Sequence, residues 1–465
     1  MYALALVAVI LCILFKILNV NNSPAQSLFY SANAKFLDEI LKLTPEIAEP
    51  YVPTRLWGFS GHVQTIIQGV LSRISCPLVN GRRYFFIQSD HATVTYDLYQ
   101  PIEKHAMSGD YTLAICPGIC NTSESVYIRR VVLQAQLQGY RVAVLNHVGA
   151  LKNVRLTAPR MFSYGYTHDY DGLIQDIVKR YPATKIICVG FSMGGNLVTK
   201  YLGEDRVRPD CILAGISACQ GYDAVEAGKY LLLWENCRRL YLYAMTENLR
   251  ALIRNWQKHL MPEDFKREKG INERDIWSAA TLVELDDAYT RKVAGFESVD
   301  EFYQDCSSLN YLDGIQVPMI FINAEDDPIV PRPLLDHMME AIKKHDNILY
   351  IEQKFGGHLG FYEGGYIYPN SVTWLDRMVV KLSESLIMFV DNEKNKAPLE
   401  DANLALEEIY DKVDSTSEDS ASSSPLILRR SFKGAKASLV CGKKNKMHSG
   451  WFPRGPGVLG EEARF

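Results

Sequence analysis

One run constrains this chain more than any other: Lys185-Ile186-Ile187-Cys188-Val189-Gly190-Phe191-Ser192-Met193-Gly194-Gly195. A short β-branched stretch enters G-x-S-x-G, and a helix-like stretch, Asn196 to Leu202, leaves it. Strand, tight turn and helix in that order describe a nucleophile elbow, which sets a serine hydroxyl at the carboxyl edge of a parallel sheet. Glycines on either side of the serine suit a turn with no room for side chains. The chain is therefore expected to be an α/β protein with Ser192 as a nucleophile.

The rest of the sequence is compatible with that sheet. Arg82 to Gln88 and Val94 to Tyr99 read as paired opening strands. Further strands are expected at 111–116, 141–145, 185–191, 211–216, 318–323 and 347–351, with helices over 126–138 and 171–179. Strands alternating with helices imply a mostly parallel sheet, whose ligands bind beyond the strands' carboxyl ends. About 100 residues between the strands at 216 and 318 are too many for a simple loop. Residues 217–316 are read as a helical cap, with Trp234, Tyr241, Tyr243, Trp256 and Trp277 serving as core or as the wall of an acyl pocket.

A serine hydroxyl needs a base, and the base needs a third group to orient it. Elbow proteins supply them in the order serine, acid, histidine. Here Glu325, Asp326 and Asp327 follow one apolar strand, and Gly356-Gly357-His358 follow the next. His358 is the expected base; the residue pattern leaves the acid open among the three carboxylates. The developing oxyanion needs two donors. Met193, just after the serine, supplies one backbone N–H, and Ile119, in the turn after Cys116-Pro117-Gly118, is expected to supply the other. His105 and Asp110 also have the H-x-x-x-x-D spacing of an acyltransferase signature, but they fall in a segment that reads as a surface turn.

The ends differ from the middle. Met1 to Val20 is apolar apart from Lys16 and Asn19, and is read as a single-pass signal-anchor in the plasma membrane or endoplasmic reticulum, with its sidedness open. Residues 21–80 read as helices and loops ahead of a catalytic domain at 81–390. Residues 391–465 turn acidic, then serine-rich, then basic between Arg429 and Lys446, and are expected to be disordered. A net charge of −4 gives no reason to expect nucleic acid. Ten cysteines in 465 residues are too sparse for a disulfide scaffold; Cys12, Cys116, Cys188 and Cys211 read as small buried hydrophobes, and no cysteine spacing suggests zinc. Asn21 and Asn121 stand in glycosylation sequons.

With these residues in place, the sequence resembles the branch of membrane-anchored α/β-hydrolases that also includes bacterial YheT-like esterases. The resemblance rests on Trp57 to Thr65, Cys116-Pro117-Gly118, Asn146 to Gly149, Ala158 to Phe162, Gly190 to Asn196, Ala324 to Pro328 and Gly356 to Gly360, and covers residues 1 to 390. It implies an α/β-hydrolase fold with a cap, and Ser192, Asp327 and His358 as nucleophile, acid and base. It further implies cleavage of fatty-acyl esters, monoacylglycerol first, beside a lipid bilayer and without metal or cofactor. Transfer of the acyl group to another alcohol, and lipid binding with little catalysis, are the alternative expectations.

Overall fold

The computed structural model of the chain describes residues 2–19, 21–71, 76–77 and 79–394. Nine strands form one sheet: β1 (Leu28–Tyr30), β2 (Arg82–Ile87), β3 (Thr93–Tyr99), β4 (Tyr111–Cys116), β5 (Arg141–Asn146), β6 (Lys185–Phe191), β7 (Ile212–Ala218), β8 (Met319–Ala324) and β9 (Ile348–Gln353). Their spatial order is β1-β9-β8-β7-β6-β4-β5-β3-β2. β5, β4, β6, β7, β8 and β9 run parallel. β3 and β2 close one edge antiparallel, and β1 closes the other. The expected mostly parallel α/β sheet is thus present, with helices inserted between β7 and β8 as its cap.

The parallel strands are apolar without alternation because both faces are covered. In β4, Leu113 and Ile115 enter one core while Ala114 and Cys116 enter the other. The first core receives Ile128, Val131 and Val132 from the helix Val126–Leu137, and Met378 and Leu382 from a helix through 374–394. The second receives Leu173 and Ile177 from His168–Arg180, Leu197 and Tyr201 from Met193–Gly203, and Leu335 and Met338 from Arg332–Ile342. Two-sided cover of this kind leaves the carboxyl ends of the strands as the open rim, and that is where the loops of interest lie.

The cap's long helix is Arg238–Leu260. The cap's aromatic residues divide by role. Trp256 is buried and donates from Nε1 to the Gly149 carbonyl at 2.9 Å. The Tyr241 hydroxyl lies 2.9 Å from His62 Nδ1. Trp234 and Tyr243 serve neither expected purpose, being 70% and 54% exposed.

The N-terminal expectation requires correction. The apolar segment forms a helix over Tyr2–Leu18 of 17 residues. At about 1.5 Å per residue it reaches about 25 Å, against about 30 Å of hydrocarbon. Among the described residues no helix is long and apolar enough to cross a membrane. The single-pass anchor over residues 1–20, and the plasma-membrane or endoplasmic-reticulum location inferred from it, are therefore overturned. Asn19 ends the helix in a left-handed conformation (φ 51°), and its side-chain amide donates to the Phe59 carbonyl at 3.1 Å.

Two smaller differences have local causes. β1 was not expected within 21–80, because three residues carry no period to read. Cys116 and Cys188 are buried, whereas Cys211 is only half-buried and Cys12 is exposed. The expected tail lies outside the described residues from 395 onward.

Candidate active site

The elbow forms because its glycines admit backbone where a side chain could not go. A Cβ on Gly194 would sit 2.0 Å from the Cys116 carbonyl oxygen and 2.4 Å from that of Pro117. A Cβ on Gly190 would sit 2.3 Å from the Gly194 carbonyl oxygen. The helix Met193–Gly203 can therefore start directly against the end of β4. Between β6 and this helix, Ser192 is held at φ 54°, ψ −121°, a conformation that costs a non-glycine residue about 1–3 kcal/mol. Its N–H donates to the Ala218 carbonyl at 2.8 Å, which fixes the turn to β7.

His358 Nε2 lies 2.8 Å from Ser192 Oγ, and His358 Nδ1 lies 2.8 Å from Asp327 Oδ2. A carboxylate only accepts, so Nδ1 carries the proton and Nε2 is left to accept from the serine hydroxyl. The Asp327 side chain is completely buried. Its Oδ1 accepts from the amides of Ile329 and Val330 at 2.8 and 3.0 Å, which fixes the carboxylate plane.

The three consecutive acids leave β8 in different directions. Glu325 is exposed. Asp326 turns to the histidine loop, where Oδ1 accepts from the Gly357 N–H at 2.8 Å while Oδ2 is buried without a partner. Burial, reinforced by the charge of Asp327, pushes the Asp326 carboxyl up to about 7 against the pull of the Gly357 hydrogen bond. Only Asp327 reaches His358.

Gly118 packs beside the serine: a Cβ there would lie 3.3 Å from Ser192 Cβ. Ile119, the next residue, lines the same cavity as Ser192 and Met193. Among the described residues neither the Ile119 nor the Met193 N–H is taken up by a protein acceptor. Met193 also opens a helix, whose N-terminus favours negative charge.

Several supports lie outside the residues singled out by sequence. The Gly118 N–H donates to the Tyr127 hydroxyl at 2.9 Å, and His147 Nε2 donates to the Pro117 carbonyl at 2.8 Å, together holding the loop that carries Ile119. Burial holds His147 below the ordinary histidine range, which keeps it neutral in that role. Thr65 Oγ1 accepts from the His358 N–H at 2.8 Å while donating to the Gly61 carbonyl at 2.7 Å. Each of these contacts ends on a backbone atom, and the one from Thr65 to the His358 N–H spans 293 positions. Their one sequence signal was that Thr65 and His147 fall in motifs carrying the family resemblance.

His105 and Asp110 stay apart from this site. The His105 ring packs against Tyr111 and Tyr140, and Asp110 pairs with Arg141. Asn121 braces the Ile119 loop, donating from Nδ2 to the Ile119 carbonyl at 2.8 Å and accepting from Ser125 Oγ at 2.9 Å.

Ser192 and His358 stand where two cavities meet. The first runs under the cap and is walled by Leu231, Leu242, Leu249, Ile253 and other apolar groups. The second opens over Asn121, Ser125, Arg129, Lys152 and Asn248.

The fold defines the class of protein: a hydrolase of the α/β-hydrolase superfamily, whose family model, described as alpha/beta hydrolase fold, matches residues 111–365. The chain is 52% identical over 386 residues to Abhydrolase domain-containing protein 2 of Drosophila melanogaster, covering 83% of this chain and 96% of that one. It is 38% identical to monoacylglycerol lipase ABHD2 of Bos taurus and of Homo sapiens, over 86% of this chain and 94% of each relative. The chain belongs to the family these relatives define.

Proposed function

We propose that this chain is a serine ester hydrolase acting on fatty-acyl esters, with monoacylglycerol as its first candidate substrate. The observation that carries the reading is the hydrogen-bonded series Ser192–His358–Asp327 at the mouth of an apolar cavity. Ser192 Oγ attacks the ester carbonyl as His358 Nε2 takes its proton. Asp327 keeps the imidazole in the right tautomer and stabilises the charge it gains. The amides of Ile119 and Met193 bind the oxyanion. His358 then protonates the departing alcohol, and a water deprotonated by His358 releases the acid from the acyl-serine.

The two cavities suit the two halves of such a substrate. The acyl chain enters the apolar space under the cap, where its burial contributes about 0.8 kcal/mol per methylene. The alcohol occupies the more polar opening. The names of several relatives add support for a monoacylglycerol.

The test is labelling of the full chain with a fluorophosphonate probe, followed by fatty-acid release from monoacylglycerol. Labelling and release in the wild type, both lost in Ser192→Ala, are expected. Release that persists in a folded Ser192→Ala protein sinks the proposal.

A further inference from the structure

The cavity under the cap is not apolar throughout. Asp286 is part of its wall, although no Lys or Arg lines it among the described residues. The Tyr303 hydroxyl donates to Asp286 Oδ2 at 2.8 Å, and the Thr290 hydroxyl is a second hydrogen-bond partner. Asp286 is only partly covered and borders the cavity. It begins a single π-helical turn, Asp286–Thr290, a distortion often found at functional sites. In the same turn the Tyr289 hydroxyl is buried with no partner. A carboxylate in an apolar chamber without a counter-charge is costly unless hydrogen bonds satisfy it. Burial pushes the Asp286 carboxyl up to about 6 while the Thr290 and Tyr303 hydroxyls hold it down, and its ionised form accepts hydrogen bonds without donating any.

The walls place this carboxylate along the cavity. At the serine end, Ile119, Ser192, Met245, Ile329 and His358 are shared with the polar opening. A separate set, Met161, Phe162, Ser163, Tyr289 and Thr290, is shared with a third cavity. No residue belongs to both sets, so the π-helical turn borders a part of the cavity distinct from the part shared with the polar opening.

We propose that this part of the cavity is a subsite for a hydroxyl group on the acyl chain, with Asp286 accepting its hydrogen bond. The proposal rests on the ester-hydrolase reading above and adds a substrate class, hydroxylated acyl chains. A neutral donor fits better than an ammonium, which would have to give up its own hydration in this apolar chamber. A plain chain leaves the carboxylate with the Tyr303 and Thr290 hydroxyls alone, whereas a hydroxylated chain adds a donor to its remaining acceptor positions.

The experiment compares monoacylglycerols of one chain length: unmodified, hydroxylated in mid-chain, and hydroxylated at the chain terminus. The wild type should favour a hydroxylated chain by about tenfold in kcat/KM. Asp286→Leu should abolish or reverse that ratio, and Asp286→Asn, which retains an acceptor, should keep part of it. A wild type that favours neither hydroxylated chain, or a preference that survives Asp286→Leu, overturns the proposal. A binding arm uses Ser192→Ala protein and displacement of a fluorescent fatty acid by hydroxylated and plain acids. Tighter binding of a hydroxylated acid there, without turnover in the wild type, supports the subsite while the hydrolase reading fails. Turnover and binding without preference leave the hydrolase standing and remove the subsite.

Discussion

The His358 amide is held by the Thr65 hydroxyl at 2.8 Å, across 293 positions of sequence. Thr65 belongs to the helix Gly61–Leu71, outside the sheet and the cap. The loop bearing the proposed base is therefore suspended between that helix and Asp326, which holds the neighbouring Gly357 amide.

Removing the Thr65 hydroxyl should loosen the imidazole without destroying it. Thr65→Val leaves the His358 N–H unsatisfied at a cost of about 1–3 kcal/mol, and a small misplacement of the base lowers the chemical rate by up to about 10²-fold. We expect kcat to fall by about 10- to 100-fold with little change in KM, and Thr65→Ser to recover most of it. Steady-state kinetics on both variants decide the matter. An equal loss in Thr65→Ser would show that packing, not the hydrogen bond, matters there.

Gly194 should tolerate no side chain. The Cβ of alanine would lie 2.0 Å from the Cys116 carbonyl oxygen, which is backbone in a central strand and cannot move aside. Gly194→Ala is expected to destabilise the fold by more than about 3 kcal/mol, at the level of severe overpacking. Thermal melts should show a large drop in Tm or no folded protein. Gly270→Ala is the control, since open space surrounds that site and only its left-handed conformation (φ 61°) is strained.

The parts of this architecture that could be read in advance were those carried by strand ends. The elbow glycines, the acids after β8 and the paired glycines before His358 announce themselves because each lies next to an apolar run. Which acid meets His358 was not local information. It depends on how Glu325, Asp326 and Asp327 point as the chain leaves β8, and two amides from Ile329 and Val330 set the direction of Asp327. Thr65, Tyr127 and His147 escaped notice because each acts on a backbone atom 293, 9 and 30 positions away respectively, a contact that no local spacing pattern announces. The apolar N-terminus was legible as a helix, but its length was not: Asn19, in a left-handed conformation, ends it at Leu18.

The two neighbouring acids should separate cleanly by activity. Asp327→Asn removes the acceptor that fixes the His358 tautomer, and kcat is expected to fall by about 10³- to 10⁴-fold. Asp326→Asn keeps an oxygen for the Gly357 N–H and should lose no more than about tenfold. Turnover of one ester by both variants gives the answer; a deeper loss in Asp326→Asn would reverse the assignment.

Asp326 should also leave a signature in the pH dependence of stability. Its carboxyl is raised to about 7 in the folded chain, first by burial and then by Asp327, against about 3.9 when unfolded. Between those values the folded state binds a proton that the unfolded state has released. The stabilisation this represents is fully present below about pH 4 and is lost as pH rises through 7. Above that, the fold carries a buried charge whose Oδ2 has no partner. Asp326→Asn removes the titration while retaining the Gly357 acceptor. The Tm of the variant relative to wild type should therefore rise from pH 4 to pH 8, by the equivalent of about 1–4 kcal/mol. Melts at half-unit intervals are the measurement. A constant gap across that range would mean that Asp326 ionises without cost, and that Gly357 and its neighbours stabilise the charged form.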